Sequence, residues 1–387
     1  MVHSLRRPPH SFPRALYKPA NPAPSSCTIM ASVTPYQSDN DRLQPCLVIP
    51  AHDSRIRRLA YLPDGRRVVT GSDDGTVRIW NLENVEQEGT PLEHGREKIC
   101  DLAVTWDGAK IISSDSKRIK VWDVDSHELV KKRTHPNGRP TAGIAIPPDD
   151  RLIAVGGAWM VTLYTMEGCQ VKNPIEVGKT VNSISFSPDG KKLACGTDGD
   201  IRVYDVESGI LVLGPLWVHR GLFDKVFNVL WSRDGSRLFS GLSQTICCWN
   251  AATGEQIGGA WTSHARFIRS LSLSPDGSIL ASASSDHTVR FWDATTGNPV
   301  GCQWRLQRVG PVNAARFSPS GEFVATAEYD GTIYFWRVPW SISIKDWVIT
   351  LHVCVGWYLP CCRRVQPFLE MKIIYGVLNL YMRVFSR

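Results

Sequence analysis

Seven short runs of alternating side-chain character punctuate the chain. Each ends on an aromatic residue: TVRIW at Trp80, RIKVW at Trp122, MVTLY at Tyr164, DIRVY at Tyr204, TICCW at Trp249, TVRFW at Trp292 and TIYFW at Trp336. Alternation of this kind is the period of a β-strand, whose successive side chains point to opposite faces. The aromatics follow one another at intervals of 42, 42, 40, 45, 43 and 44 residues. A tight-turn signal precedes each run, as in GSDDG before Trp80 and SASSDH before Trp292. Asp and Gly supply the backbone geometry of a hairpin there. A second turn lies about sixteen residues before the aromatic. It reads PDG at Pro63–Gly65, Pro188–Gly190 and Pro275–Gly277, with variants at Trp106–Gly108, Arg233–Gly235 and Pro319–Gly321. Short apolar strands such as RLAYL, SISFS and SLSLS lie before these second turns.

Each unit therefore predicts three regular strands and a looser fourth, in antiparallel order. One such sheet cannot bury both of its faces, whereas seven packed radially can, and closing the ring leaves only short protected edges. The expected fold is all-β: a seven-bladed β-propeller of four-stranded antiparallel blades over residues 43–338. Residues 1–42 predict a disordered basic tail rich in Pro and Ser, and 339–387 an apolar and basic C-terminal extension.

This order and period resemble the WD-repeat propeller family, and the resemblance covers most of the chain. The W-D dipeptide stands at Trp122–Asp123 and Trp292–Asp293, with Tyr204–Asp205, Trp80–Asn81 and Trp249–Asn250 as variants. The resemblance implies a buried hydrogen-bonded set of His, hydroxyl, Asp and Trp in each complete unit. The first unit matches with His52, Thr70, Asp74 and Trp80, and the sixth with His264, Ser282, Asp286 and Trp292. The seventh keeps Thr326, Asp330 and Trp336 but has Arg308 in place of His. The fourth keeps Asp198 but has Val177 and Cys195 at the other two places. Units 2, 3 and 5 are expected to be less tightly tied than 1 and 6. His94, His135 and His219 lie near equivalent positions between units. The resemblance also implies that QPCLVIPAH, ahead of the first unit, supplies the outer strand of the last blade. The competitor is PWSISIKDWVITLHV, after Trp336.

Charge and composition narrow the chemistry. The formal net charge of +7 resides in the ends, +3 over residues 1–40 and +4 over 338–387, so the body is neutral. That argues against a general nucleic-acid binder. None of the eleven cysteines forms a C-x-x-C pair, and no secretory signal or N-x-[ST] acceptor occurs. The expected compartment is intracellular, cytoplasmic in the first instance. Gly178–Lys179–Thr180 ends like a phosphate-binding loop, but Asn173 stands where its first glycine belongs and a strand follows in place of a helix. No nucleophile elbow, H-E-x-x-H or other metal-ligand spacing is present, so neither a catalytic residue, a metal nor a cofactor is expected.

The expected function is a protein-binding scaffold or adaptor that presents its rim to peptide or protein partners. In propellers, residues before the turn Asp and at the opening of the first strand reach the channel rim. Here these are Arg55, Arg57, Asp73, Trp159, Asn182, Thr197, Arg266, Phe267, Arg269, Asn313 and Tyr329. Arg55, Arg57, Arg266 and Arg269 would form one basic sector across blades 1 and 6, suited to an acidic or phosphorylated segment. The propeller is expected to act as a monomer within a larger complex. Two other readings stand beside this one. The uncharged run Trp347–Cys362, Arg363–Arg364 and the helical spacing of Ile373, Val377, Tyr381 and Val384 would suit a membrane-associated adaptor. An enzyme with a ligand in the channel is the third.

Overall fold

The computed structural model describes residues 44–134, 143–171, 173–217, 225–262, 264–306 and 310–339. The readings placed on residues 1–42, on the C-terminal extension beyond Pro339, and on His135, His219 and Arg308 lie outside them. Twenty-eight strands form seven four-stranded antiparallel sheets, and no helix longer than a turn occurs among the described residues. Each sheet is one blade. The inner strands are Ile56–Tyr61, Asp101–Val104, Gly143–Ala145, Val181–Phe186, Asn228–Trp231, Ile268–Leu273 and Val312–Phe317. Each neighbours the next around the ring, and the seventh neighbours the first. The architecture is thus a seven-bladed β-propeller.

The core is divided into seven parts, one between each pair of adjacent blades. Between blades 7 and 1, for example, Ile56, Leu59, Val68 and Trp80 pack against Ala314, Ala325, Ile333 and Phe335. Two glycines set the spacing between blades. A methyl group at Gly71 would come within 2.6 Å of Ile99, and one at Gly196 within 2.7 Å of Val226. Small residues here let the next blade approach closely.

The ring closes through the N-terminal segment, as expected. Leu47–Pro50 pairs with Thr332–Arg337, Leu47 opposite Phe335 and Pro50 opposite Thr332. Ile49 drops its side chain into the core between blades 7 and 1.

Polar ties pin the outer turns to the strands. In blade 1 the His52 ring bridges Asp74 and Thr70, each at 2.8 Å, and Trp80 donates to Thr70 at 3.1 Å. In blade 6 His264 bridges Asp286 and Ser282 at 2.9 and 2.8 Å, and Trp292 donates to Ser282 at 2.9 Å. Blade 7 holds Trp336 on Thr326 at 2.9 Å, while Asp330 accepts the Thr332 amide at 3.0 Å. A buried hydroxyl, ring and carboxylate are stable only when they satisfy one another.

Two blades differ from expectation. Blade 2, expected to be loose, carries a complete set: His94 lies 3.1 Å from Asp115 and 2.6 Å from Ser113, which also accepts from Trp122 at 2.8 Å. The turn is one residue shorter, and the acid still reaches the ring. In blade 4, Asp198 occupies the expected place, but its carboxylate turns outward to Asn182 and Lys225. The buried acid is Asp200, two residues on, held by Lys179, Arg202 and Thr197. Thr197 is consequently buried and does not reach the rim.

The His94 site predicts a pH dependence. Burial pushes the His94 imidazole down to about 4, against a partial upward pull from Asp115. The folded state therefore binds fewer protons than the unfolded chain between pH 4 and the ordinary histidine value of about 6.5. Stability is highest above that window and falls as pH drops through it, by up to about 3 kcal/mol. Thermal melts of wild type and His94→Gln across pH 4–7 should show a steeper decline for wild type. Parallel curves would contradict it.

Candidate functional site

Four inner strands of this ring carry the same irregularity. A β-bulge interrupts the pairing between Ile56 and Arg58, Val181 and Ser183, Ile268 and Ser270, and Val312 and Ala314. The extra residues are Arg57, Asn182, Arg269 and Asn313. A bulged residue leaves the ladder and its side chain is re-aimed. The sequence positions these four side chains at one level of the channel mouth.

Arg57 donates to the Asp73 carboxylate, which also lies 3.6 Å from Lys98. Arg55 donates to Asn313 at 2.6 Å, and its guanidinium stands 5.6 Å from the Tyr329 ring centre. Asn313 is itself buried and donates to the Ile56 carbonyl at 3.0 Å, so it supports Arg55 and offers little surface. Arg269 donates to Ser285 at 2.8 Å and stands 6.0 Å from the rings of both Phe227 and Phe267. Those rings meet edge to face at 5.8 Å. Phe267 and Tyr329 remain 47% and 54% exposed, an apolar surface beside the cations.

The arginines sense one another. Burial lowers the Arg55 pKa, and Arg57 and Arg269 lower it further. Burial likewise lowers that of Arg269, with Arg58 and Arg57 adding to the effect. Three of the four arginines expected to form a basic sector are therefore brought together. Arg266 does not join them through any described contact: its side chain is exposed, and its carbonyl accepts from Ser284. Asn182, tied to Asp198 at 2.8 Å, and Trp159, 59% exposed, belong to blades 4 and 3 on the opposite side of the mouth.

Sequence reasoning missed the next level down. Arg58 donates to Asp101 at 2.6 Å, and Asp101 also accepts the Ile144 amide of blade 3 at 2.7 Å. Arg316 donates to Ser270 at 2.5 Å and to the Leu271 carbonyl at 3.1 Å. These residues line a central channel of about 640 Å3. Consecutive inner-strand residues border the channel, as Asp101–Val104 and Asn182–Phe186 do, so alternation along these strands does not single out Arg58 or Arg316. Among the described residues no cluster of side chains suits a metal ion, and no helix is long and apolar enough to cross a membrane.

The bladed ring, its closure by the N-terminal strand and the His–hydroxyl–Asp–Trp ties define a WD-type propeller. The family model for the WD domain, G-beta repeat, matches residues 43–81, 86–123, 172–205, 256–293 and 302–337. The chain belongs to the WD-repeat β-propeller family. The units ending at Tyr164 and Trp249 carry no match. They are also the ones without a turn Asp in the expected place. Among curated relatives, the chain is 24% identical to autophagy-related protein 16 of Arabidopsis thaliana over 65% of its own length and 50% of that protein's. It is 21% identical to the serine-threonine kinase receptor-associated protein of Gallus gallus, over 66% of this chain and 59% of that one. It is 25% identical to a guanine nucleotide-binding protein subunit beta of Oryza sativa subsp. japonica, over 63% and 70%. The chain thus spans only 50% and 59% of the first two relatives.

Proposed function

We propose that this protein is a binding scaffold that holds an acidic segment of a partner protein on the channel rim of blades 7, 1 and 6. The observation that carries this reading is the convergence of Arg55, Arg57 and Arg269 beside the exposed rings of Tyr329 and Phe267. Arginine and aromatic side chains dominate the energy of protein interfaces. Guanidinium groups also take carboxylate or phosphorylated side chains through paired bonds. Family membership supports the reading, because a rigid ring offers many loops for recognition and needs no chemistry of its own. The seven described cysteines that are free thiols fit a reducing, intracellular setting.

The test is capture of partners from intact cells with wild type and an Arg57→Glu/Arg269→Glu pair, with circular dichroism to establish that both fold. The expected result is a defined partner set in wild type, depleted by at least about tenfold in the double variant. An unchanged set would move the site to other blades.

A further inference from the structure

Below the rim, the channel carries positive charge that no carboxylate among the described residues fully neutralises. Among the described residues lining it are four arginines, Arg58, Arg233, Arg269 and Arg316, and one carboxylate, Asp101. Asp101 is taken by Arg58. Arg269 and Arg316 have no carboxylate partner among the described residues and rest on hydroxyls, carbonyls and aromatic faces. The level of these groups is fixed by their bonds. Arg58 is the third residue of its inner strand, and the Arg316 guanidinium reaches the third and fourth residues of blade 6, Ser270 and Leu271. Both therefore sit about one residue rise, roughly 3.3 Å, inside the rim pair Arg57 and Asn313. Burial, with a smaller contribution from Arg58, lowers the Arg316 pKa to about 10. Two donors are left over as well: the Asn228 amide nitrogen, from a residue that lines the same channel, and Arg55 Nε are buried with no hydrogen-bond partner among the described residues.

We propose that this channel is a binding site for a small phosphate-bearing anion, held by Arg58 and Arg316 below the rim and by Arg269 at its mouth, with the Asn228 amide. Buried donors without acceptors and like charges held close both carry a penalty that an entering anion relieves. A tetrahedral dianion offers several oxygens in different directions, which matches guanidiniums converging from three blades better than a planar carboxylate does. The position of Arg58 and Arg316 below the rim favours a free small molecule over a side chain of a bound protein.

The test is isothermal titration of the full chain with sodium tripolyphosphate at low salt. Saturable one-to-one binding is expected. Arg316→Met and Arg269→Gln should each weaken it by at least about tenfold, with the fold checked by circular dichroism. Arg151→Gln, which alters an exposed pair with Asp149, should leave it unchanged. Absence of saturable binding would overturn the proposal, as would many weak equivalent sites or an equal effect of Arg151→Gln. Binding of a phosphorylated peptide without binding of tripolyphosphate would overturn it in favour of a rim ligand. Arg316→Met leaves the rim side chains in place, so partner capture by that variant separates failure of the channel site from failure of the rim reading.

Discussion

Removal of residues 1–50 is expected to open the ring and not merely to shorten the chain. Blade 7 alone takes its outer strand from the other end of the sequence. Leu47–Pro50 pairs along Thr332–Arg337, the Cys46 amide donates to Phe335 at 2.8 Å, and the amides of Ala51 and His52 reach Gly331 at 3.0 and 2.9 Å. Without this segment Thr332–Arg337 becomes an unpaired edge, open to association with other chains. The core between blades 7 and 1 also loses Ile49. Truncating such a side chain to alanine costs about 2–5 kcal/mol, and the deletion removes it together with the strand ladder. A loss of at least about 5 kcal/mol is a large share of ordinary stability and lowers Tm by roughly 10 °C or more. Thermal melts and size-exclusion chromatography of the truncated chain should show that shift, or self-association. Removing residues 341–387 deletes none of the described strands and should move Tm by less than about 2 °C. A truncation of residues 1–50 as stable as the full chain would show that ring closure contributes little.

Much of this architecture was legible in the sequence because it is written in repeated local signals. The aromatic at the end of each third strand recurs seven times, the PDG-type turn six times and the Asp turn five times, and each has a direct local cause. His52 ahead of the first inner strand marked the segment that closes the ring. What was not legible depends on single-residue offsets. In blade 2 the turn is one residue shorter, and spacing alone suggested a weakened tie. The structure brings Asp115 to His94 regardless, since the ring needs a carboxylate within reach and not a fixed count of residues. The rim shows the same limit. Arg57 and Arg269 were visible as residues opening a strand, whereas Arg58 and Arg316 were not, because consecutive inner-strand residues border the channel and no repeat signal marks which of them carries the charge. Arg266 stands three residues before the bulged Arg269, whereas Arg55 stands two before Arg57, yet it looked equivalent to the others. Its exposed side chain shows that nearness in sequence to the bulge is not enough.

Replacement of Asp200 by alanine is expected to destabilise the protein far more than replacement of Asp198, although Asp198 holds the place that the repeat pattern assigns to the structural acid. Asp200 is fully buried. It accepts from Lys179 at 2.7 Å, Thr197 at 2.6 Å, and Arg202 through Nε at 3.1 Å and Nη2 at 3.2 Å. Burial pushes its carboxyl up, but the bonds from Arg202, Lys179 and Thr197 outweigh that and hold it below the ordinary carboxylate value. These partners stand in for the His and hydroxyl that blade 4 lacks: Val177 and Cys195 occupy those places, and Arg202 donates to the Val177 carbonyl at 2.7 Å. In Asp200→Ala two cations, each less than a third exposed, are left without their acid. Breaking such a buried arrangement from one side costs about 3–5 kcal/mol. Asp198 is 41% exposed and lies 3.6 Å from Lys225, a surface pair worth less than about 1 kcal/mol. Urea unfolding should therefore show a large drop in midpoint for Asp200→Ala and a small one for Asp198→Ala. Because the folded carboxyl is depressed, the Asp200 contribution is present above the unfolded carboxylate pKa and is lost as pH falls through the folded value. The gap between wild type and Asp200→Ala should accordingly narrow in acid. Equal effects of the two substitutions would mean that blade 4 relies on Asp198 after all, and that its polar tie follows the repeat and not the burial.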